Sequence, residues 1–577
     1  MNTFLNFFQL LSSSQKKGFF ILFFLSFFTI GLEVLSIGSI VPLVLFFLGE
    51  QLSNVKFFIP FDSNIFATFS EDEIIKYIFI FIFASFIIKN LILVYVVFLE
   101  SRISWNIEYF FRKELFKKFL NESLDYHSLT ASSYKINLVY KECSYIFHGV
   151  LNFISLVTEA IFTSAICFLI IFYYPKIFAI LSLSIFGTMI LYHLFTKKIL
   201  TRLSKERQEG DQHLINRIQN GINGIREMKI YNTEKKYLED FTKNTFKLFN
   251  ISRLLQALVR IPKIILEVAI ILALFLAIVI FLYSGNETQN TLALLSLLVI
   301  SAVRVMPSFL KLYNSYQSLK ISKPSIELIT KELITIKDFK NNKNNDKDDL
   351  SIKFETIELK DVSYSIKETD RTLFKNVNLK INKNEIIGIK GESGIGKSTL
   401  IDVISGFKKP SKGNIFVEKI NIHNFPKSWQ KNISYVPQEI FLLDDTIYMN
   451  ICFEEKSKID LKKLEDCCNK AEIIKLINEL PDGFDTKIGE GGSRLSQGQR
   501  QRLGLARALY HTPEVLIMDE STNALDLKTE EKVLKILKKL SDSITIIIIS
   551  HSNKPLSYCD RVFEIKNQEI RITENLK

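Results

Sequence analysis

The run Gly391-Glu392-Ser393-Gly394-Ile395-Gly396-Lys397-Ser398-Thr399 carries the plainest chemistry in the chain. It follows a short apolar stretch at 386–389 and opens a helical stretch at 400–404, the strand-to-helix setting of a phosphate-binding loop. Glycines there let backbone N–H groups approach a polyphosphate, and a helix N-terminus favours its negative charge. Gly391, Ser393, Gly394, Gly396 and Thr399 are therefore expected to form the cradle of a nucleotide's phosphates. Lys397 is placed to neutralise the β- and γ-phosphates, and the Ser398 hydroxyl to hold Mg²⁺.

Such a cradle needs carboxylates from elsewhere. The apolar stretch 515–518 ends in Asp519-Glu520, and burying it leaves both acids at a polar strand tip. Asp519 suits metal coordination, and Glu520 suits a general base or a group that orients attacking water. In isolation an Asp-Glu pair is often a solvated loop; beside a phosphate loop that reading loses its weight. His551 follows the apolar stretch 544–549, where a lone histidine would more often be structural.

The elements that must position these groups read as short buried strands alternating with helices, hence a mostly parallel sheet. That pattern starts near 351. Before about 310 the composition is different: apolar residues dominate, contributing to 49 Phe in 577 residues. Spans are expected at 18–48, 74–99, 145–174, 176–195, 262–283 and 291–307, long enough for a bilayer that needs ~20 apolar residues. The first is too long for a signal peptide. Basic residues crowd the loops after the second and fourth spans, including Arg112, Lys117, Lys118, Lys197, Lys198 and Arg202, whereas 286–289 has none. Both termini are therefore expected on the cytoplasmic side. The net charge of +12 lies in these loops rather than in one basic arm, which argues against nucleic acid as a partner. The six cysteines show no zinc spacing, and a reducing environment suits the second half. The polar stretch 338–346 marks a linker. The expected architecture is an all-α membrane domain of about six helices at 1–325, a linker at 326–350, and a cytosolic α/β P-loop nucleotide-hydrolase domain at 351–577.

Between the cradle and the carboxylates lies Leu495-Ser496-Gln497-Gly498-Gln499-Arg500-Gln501-Arg502. This resembles the signature sequence of ATP-binding cassette (ABC) transporters, with Gln497 where Gly is commonest. The resemblance implies ATP and Mg²⁺ as ligands and assigns further roles. Gln438, in Val436-Pro437-Gln438, matches the loop that senses Mg²⁺, and Asp526, after Ala524-Leu525, matches the D-loop. His551 matches the switch histidine at the γ-phosphate, and Gly489-Glu490-Gly491 resembles a loop that meets the membrane helices in exporters. Ser496, Gly498 and Gln499 would reach the ATP of a second cassette, so a homodimer with two equivalent sites is implied. The short elements near 126–133 and 220–229 would be its coupling helices. The family usually stacks adenine on an aromatic that aligns here with Ile366; Tyr364 is the substitute at hand, and weak stacking is the alternative.

The cargo must be read from the spans. Glu33, Lys89, Glu159 and Arg304 fall within apolar runs and Glu267 near the start of one; such groups face a cavity or pair with one another. The stretches Ala302-Val303-Arg304-Val305-Met306-Pro307-Ser308 and Tyr313-Asn314-Ser315-Tyr316 are similar to those of bacterial lipid-linked oligosaccharide flippases. A polyprenyl-pyrophosphate sugar needs cations for its phosphates, for which Arg304 with Lys89 or Arg260 stands ready. The resemblance thus implies a flippase of the bacterial inner membrane acting on a lipid or lipid-linked sugar. A multidrug or lipid exporter uses the same engine, and an ATP-gated or nucleotide-sensing membrane regulator is the reading from another class.

Overall fold

The computed structural model describes residues 7–47, 71–173, 175–283, 288–343, 352, 354–366, 371–523 and 525–573. Within its helices the side chains of 33–47, 71, 72, 74, 75, 78, 166, 169, 170, 172–181, 274, 277, 280–305 and 335–343 fall outside that description, so Glu33 and Arg304 do too. Two compact units emerge, one of Met1–Glu122 with His127–Asn341, the other of Ser123–Tyr126 with Asn342–Lys577.

The first unit is all helical. Its long helices are α1 (Ser13–Phe47) and α2 (Glu71–Asn121); the short α3 (Leu124–Leu129) is divided between the two units, and α4 (Ser132–Asn137) belongs to the first. There follow α5 (Cys143–Tyr173), α6 (Pro175–Asn223), the short α7 (Ile225–Tyr231), α8 (Glu234–Tyr283) and α9 (Thr288–Lys343). Among the described residues, Ser13–Leu32, Phe79–Asn121 and Ser132–Ala165 are long and apolar enough to cross a membrane. Residues such as Phe83, Phe98, Leu183 and Phe195 are exposed in this unit, as expected where lipid rather than protein covers a helix.

Helices α2, α6 and α8 run to 51, 49 and 50 residues, about twice what a bilayer needs, so they extend well beyond its thickness. Buried polar pairs lock these extensions. Lys118 Nζ donates to Glu332 Oε2 at 2.5 Å, while Tyr134 donates to Glu332 Oε1 at 2.8 Å. Asp211 accepts from Lys141 at 2.6 Å, and Arg207 lies 3.5 Å from the Tyr145 ring and donates to Ser325. Lys118, Arg207 and Asp211 are nearly buried, and charges there persist only when paired, so these contacts fix the register between neighbouring segments. Residues 326–343, read above as linker, are helical as the end of α9. Their polarity begins at 338, but Ile326, Ile329 and Leu333 recur at helical spacing and are buried.

The second unit is α/β. An antiparallel sheet of order β2-β1-β4-β5 uses β1 (Thr356–Ile366), β2 (Arg371–Asn382), β4 (Lys412–Val417) and β5 (Ile420–Asn421). A six-stranded sheet of order β10-β9-β3-β8-β7-β6 contains β3 (Ile386–Gly391), β6 (Ile433–Val436), β7 (Val515–Asp519), β8 (Thr545–Ile549), β9 (Arg561–Lys566) and β10 (Glu569–Thr573). All its pairings are parallel except β10 with β9. Every residue of β7 and β8 is buried, which is why these strands read as unbroken apolar runs ending in polar residues. Three helices concern the site: α10 (Lys397–Ile404), α11 (Gln497–Tyr510) and α12 (Leu527–Leu540). The fully buried Trp429 donates its Nε1–H to the Ile404 carbonyl at 2.9 Å and so fastens the far end of α10.

Candidate active site

Strands β3, β7 and β8 are adjacent and parallel, so their C-terminal ends open on one edge of the sheet. In open α/β sheets ligands gather at that edge. After β3 the chain turns through Gly394 and Gly396, with φ of +75° and +111°, values that side-chain-bearing residues rarely adopt. A Cβ on Gly396 would also stand 3.1 Å from Leu373. Gly391 closes the strand, Ser393 and Gly394 are exposed in the loop, and Thr399 is half-buried on α10.

Lys397 is 7% exposed and donates to the carbonyls of Gly391 at 2.8 Å and Glu392 at 3.1 Å. Burial pushes its pKa below the ordinary lysine value, and Glu520 and Asp519 partly oppose that shift. Its Nζ also lies 2.8 Å from His551 Nε2, which in turn lies 3.0 Å from Glu520 Oε1. One ring nitrogen cannot serve both at once: with a proton it donates to Glu520, and without one it accepts from Lys397. Gln438 donates to Glu520 Oε2 at 3.0 Å, joined by Asn523 at 3.4 Å. Glu520 itself has φ of +50°, a strained conformation of the kind that collects at functional sites, and its N–H extends the ladder to the Ile549 carbonyl.

Beside this chain of contacts sits Asp519, 7% exposed, whose Oδ2 accepts from the Ser398 hydroxyl at 3.1 Å. A buried carboxylate, a hydroxyl and the nearby amide of Gln438 form an all-oxygen donor set, which fits Mg²⁺. Lys397, Ser398, Gln438, Asp519, Glu520 and His551 are thus brought into one cluster. Two members have no counterpart in the sequence reading: Asn523 and Tyr435, whose hydroxyl donates to Asp519 Oδ2 at 3.0 Å.

Other candidates stand apart from it. Ser496 is the exposed N-cap of α11 in a reciprocal capping box with Gln499, accepting from the Gln499 N–H at 3.3 Å. Gly498 follows in the first turn. Asp526 caps α12, accepting from the Thr529 N–H at 3.0 Å, and its hydrogen bonds to Thr529 lower its pKa. Among the described residues, no hydrogen bond or ion pair joins Ser496, Gly498, Gln499 or Asp526 to the Lys397–Glu520 cluster. Tyr364 is half-buried and tilts against the buried Phe374 with ring centroids 6.1 Å apart, and Ile366 packs on the same core.

In the helical unit Lys89 is 6% exposed with its Nζ 4.5 Å from the Phe86 ring, and Arg260 is exposed on α8. Arg304 and Glu33 lie outside the described side chains, so nothing structural bears on them. Glu159 pairs with Lys311 at 2.7 Å, a partner just beyond the apolar run and therefore unseen in it. Glu267 lies 3.9 Å from Lys263 one turn earlier.

Family models describe both halves: "ABC transporter" matches residues 374–523 and "ABC transporter transmembrane region" matches residues 19–307. The chain is 29% identical over 318 residues to an ATP-dependent lipid A-core flippase of Haemophilus influenzae (strain 86-028NP), covering 55% of this chain. It therefore spans about half of that relative's length, 53%. It is 28% identical over 426 residues to a probable ABC transporter ATP-binding/permease protein of Haemophilus influenzae (strain ATCC 51907 / DSM 11121 / KW20 / Rd), covering 71% of this chain and 73% of the relative. In fold it is similar to a bacterial Atm1-family ABC exporter with ATP bound, with a TM-score of 0.75 and 17% identity over 94% of this chain and 93% of the other.

Proposed function

Because this chain belongs to the ABC transporter family, we propose that it is an ATP-hydrolysing exporter that moves an amphipathic glycolipid, a lipid-linked oligosaccharide or a relative of one, across a bacterial inner membrane. The observation that carries the reading is the contact chain Lys397–His551–Glu520–Gln438 beside Asp519–Ser398. A channel or sensor can dispense with a base and a switch histidine; this chain keeps both in register.

The contacts support these roles. Lys397 leaves the two carbonyls that hold it and turns to the terminal phosphates, aided by the glycine backbone around it. Glu520 orients the attacking water and takes its proton, and Gln438 keeps that carboxylate aimed. His551, released by Lys397, holds the γ-phosphate. Ser398 and Asp519 would hold Mg²⁺, which when bound spreads the phosphates' charge. Ser496, with Gly498 and Gln499, closes the site of a second copy, so the working unit is a homodimer with both termini in the cytoplasm.

The cargo rests on the lipid-export character of the relatives and on Arg304. A pyrophosphate paired with a guanidinium is a charge-assisted contact, so Arg304→Ala should slow translocation of a polyprenyl-pyrophosphate sugar about tenfold or more in proteoliposomes. Basal ATP turnover should persist. Unchanged translocation in that variant would remove Arg304 from the cargo site.

A further inference from the structure

Tyr435 belongs to no motif, yet it touches the site's metal-binding carboxylate. It lies on β6, the edge strand, where parallel pairing sets it opposite Ile517 of β7. Alternation along β7 puts Ile517 and Asp519 on one face, so the Tyr435 ring lies along the face that carries Asp519. Its hydroxyl donates to Asp519 Oδ2 at 3.0 Å, the same oxygen that accepts from Ser398 at 3.1 Å. Among the described residues no hydrogen bond is made to Asp519 Oδ1. Tyr435 is 38% exposed, so core packing does not account for it.

Three residues further along the same segment, Gln438 donates to Glu520 at 3.0 Å. Two rungs from one stretch of chain therefore grip two consecutive carboxylates. From this pairing, and on the reading that the site hydrolyses ATP, we infer that Tyr435 is a positioning residue: its hydroxyl fixes the rotation of the Asp519 carboxylate and so holds it ready for a metal. Without that donor the carboxylate is held by Ser398 alone, and Ser398 is itself an expected metal ligand. The hydroxyl thus lets Asp519 stay oriented while Ser398 is recruited elsewhere.

The test is Tyr435→Phe in the full chain, which keeps the ring and deletes one donor. Binding of a fluorescent non-hydrolysable ATP analogue is titrated in EDTA and then across Mg²⁺ concentrations, with Mn²⁺ electron paramagnetic resonance as a second probe of the metal. The variant should bind the analogue as wild type does in EDTA and melt at the same temperature. Its half-saturating Mg²⁺ or Mn²⁺ concentration should rise about tenfold, the usual weight of a hydrogen bond to a charged group. An unchanged half-saturation overturns the inference, as does equal weakening with and without metal, which marks a merely structural tyrosine. If wild-type protein shows no metal-dependent gain in binding, it is the ATP-hydrolysis reading that falls.

Discussion

Glu520→Gln should stop ATP turnover while leaving ATP bound. The substitution keeps the shape of the side chain and its place at the end of β7, where the backbone N–H bonds to the Ile549 carbonyl. It removes the charge that would take a proton from water, a contribution of about 10²- to 10⁴-fold in rate. Gln438 and His551 still find an oxygen in reach, so the arrangement around the phosphates survives. Phosphate release should fall by about that factor, and radiolabelled ATP should stay with the protein after rapid gel filtration. Retention of two nucleotides per two chains would follow from a symmetric pair of sites. Steady hydrolysis in this variant would remove Glu520 from the role of base.

Lys397→Ala should act one step earlier, on binding. The lysine is nearly buried and lies against two backbone carbonyls and His551, so its ammonium is held at the mouth of the loop. Contacts from a cation to phosphate oxygens are charge-assisted and contribute about 1.5–3 kcal/mol, so ATP affinity should drop about ten- to a hundredfold. Turnover should be lost as well, since no other described cation occupies that place in the cluster. The fold should tolerate the change better than the site does. Alanine needs no hydrogen-bond partner, and Trp429 still fastens the far end of α10. Equal ATP affinity in the variant, read by nucleotide fluorescence, would contradict the assignment.

The contrast between these residues and the others explains what the sequence could reveal. A polyphosphate requires glycines, a lysine and a hydroxyl at fixed offsets, so Gly391 to Thr399 are readable without any structure. Asp519 and Glu520 are readable because burying β7 forces polarity to its tip. Tyr435 is not, since a tyrosine in a short strand is ordinary β-former and only the register of β6 against β7 carries it to Asp519. Asn523 is likewise lost in a polar turn. The pairing of Glu159 with Lys311 depends on how α5 meets α9, a long-range relation that hydropathy does not encode. The helix through 326–343 is hidden by the polar residues of its own last turns, from 338 on, although Ile326, Ile329 and Leu333 keep the period. Ser496 and Asp526 cap their own helices, so within one chain their hydrogen bonds are local, and a nucleotide role for them requires a second copy.

ATP hydrolysis and the movement of a lipid can be followed together in one vessel. Purified protein is placed in liposomes with a fluorescent polyprenyl-pyrophosphate sugar, and the fraction open to a membrane-impermeant quencher is followed after addition of Mg²⁺-ATP. The lipid should redistribute between leaflets with ATP, but not with a non-hydrolysable analogue and not in Glu520→Gln. Steady ATP hydrolysis with no change in the accessible fraction would show that this protein does not move the lipid.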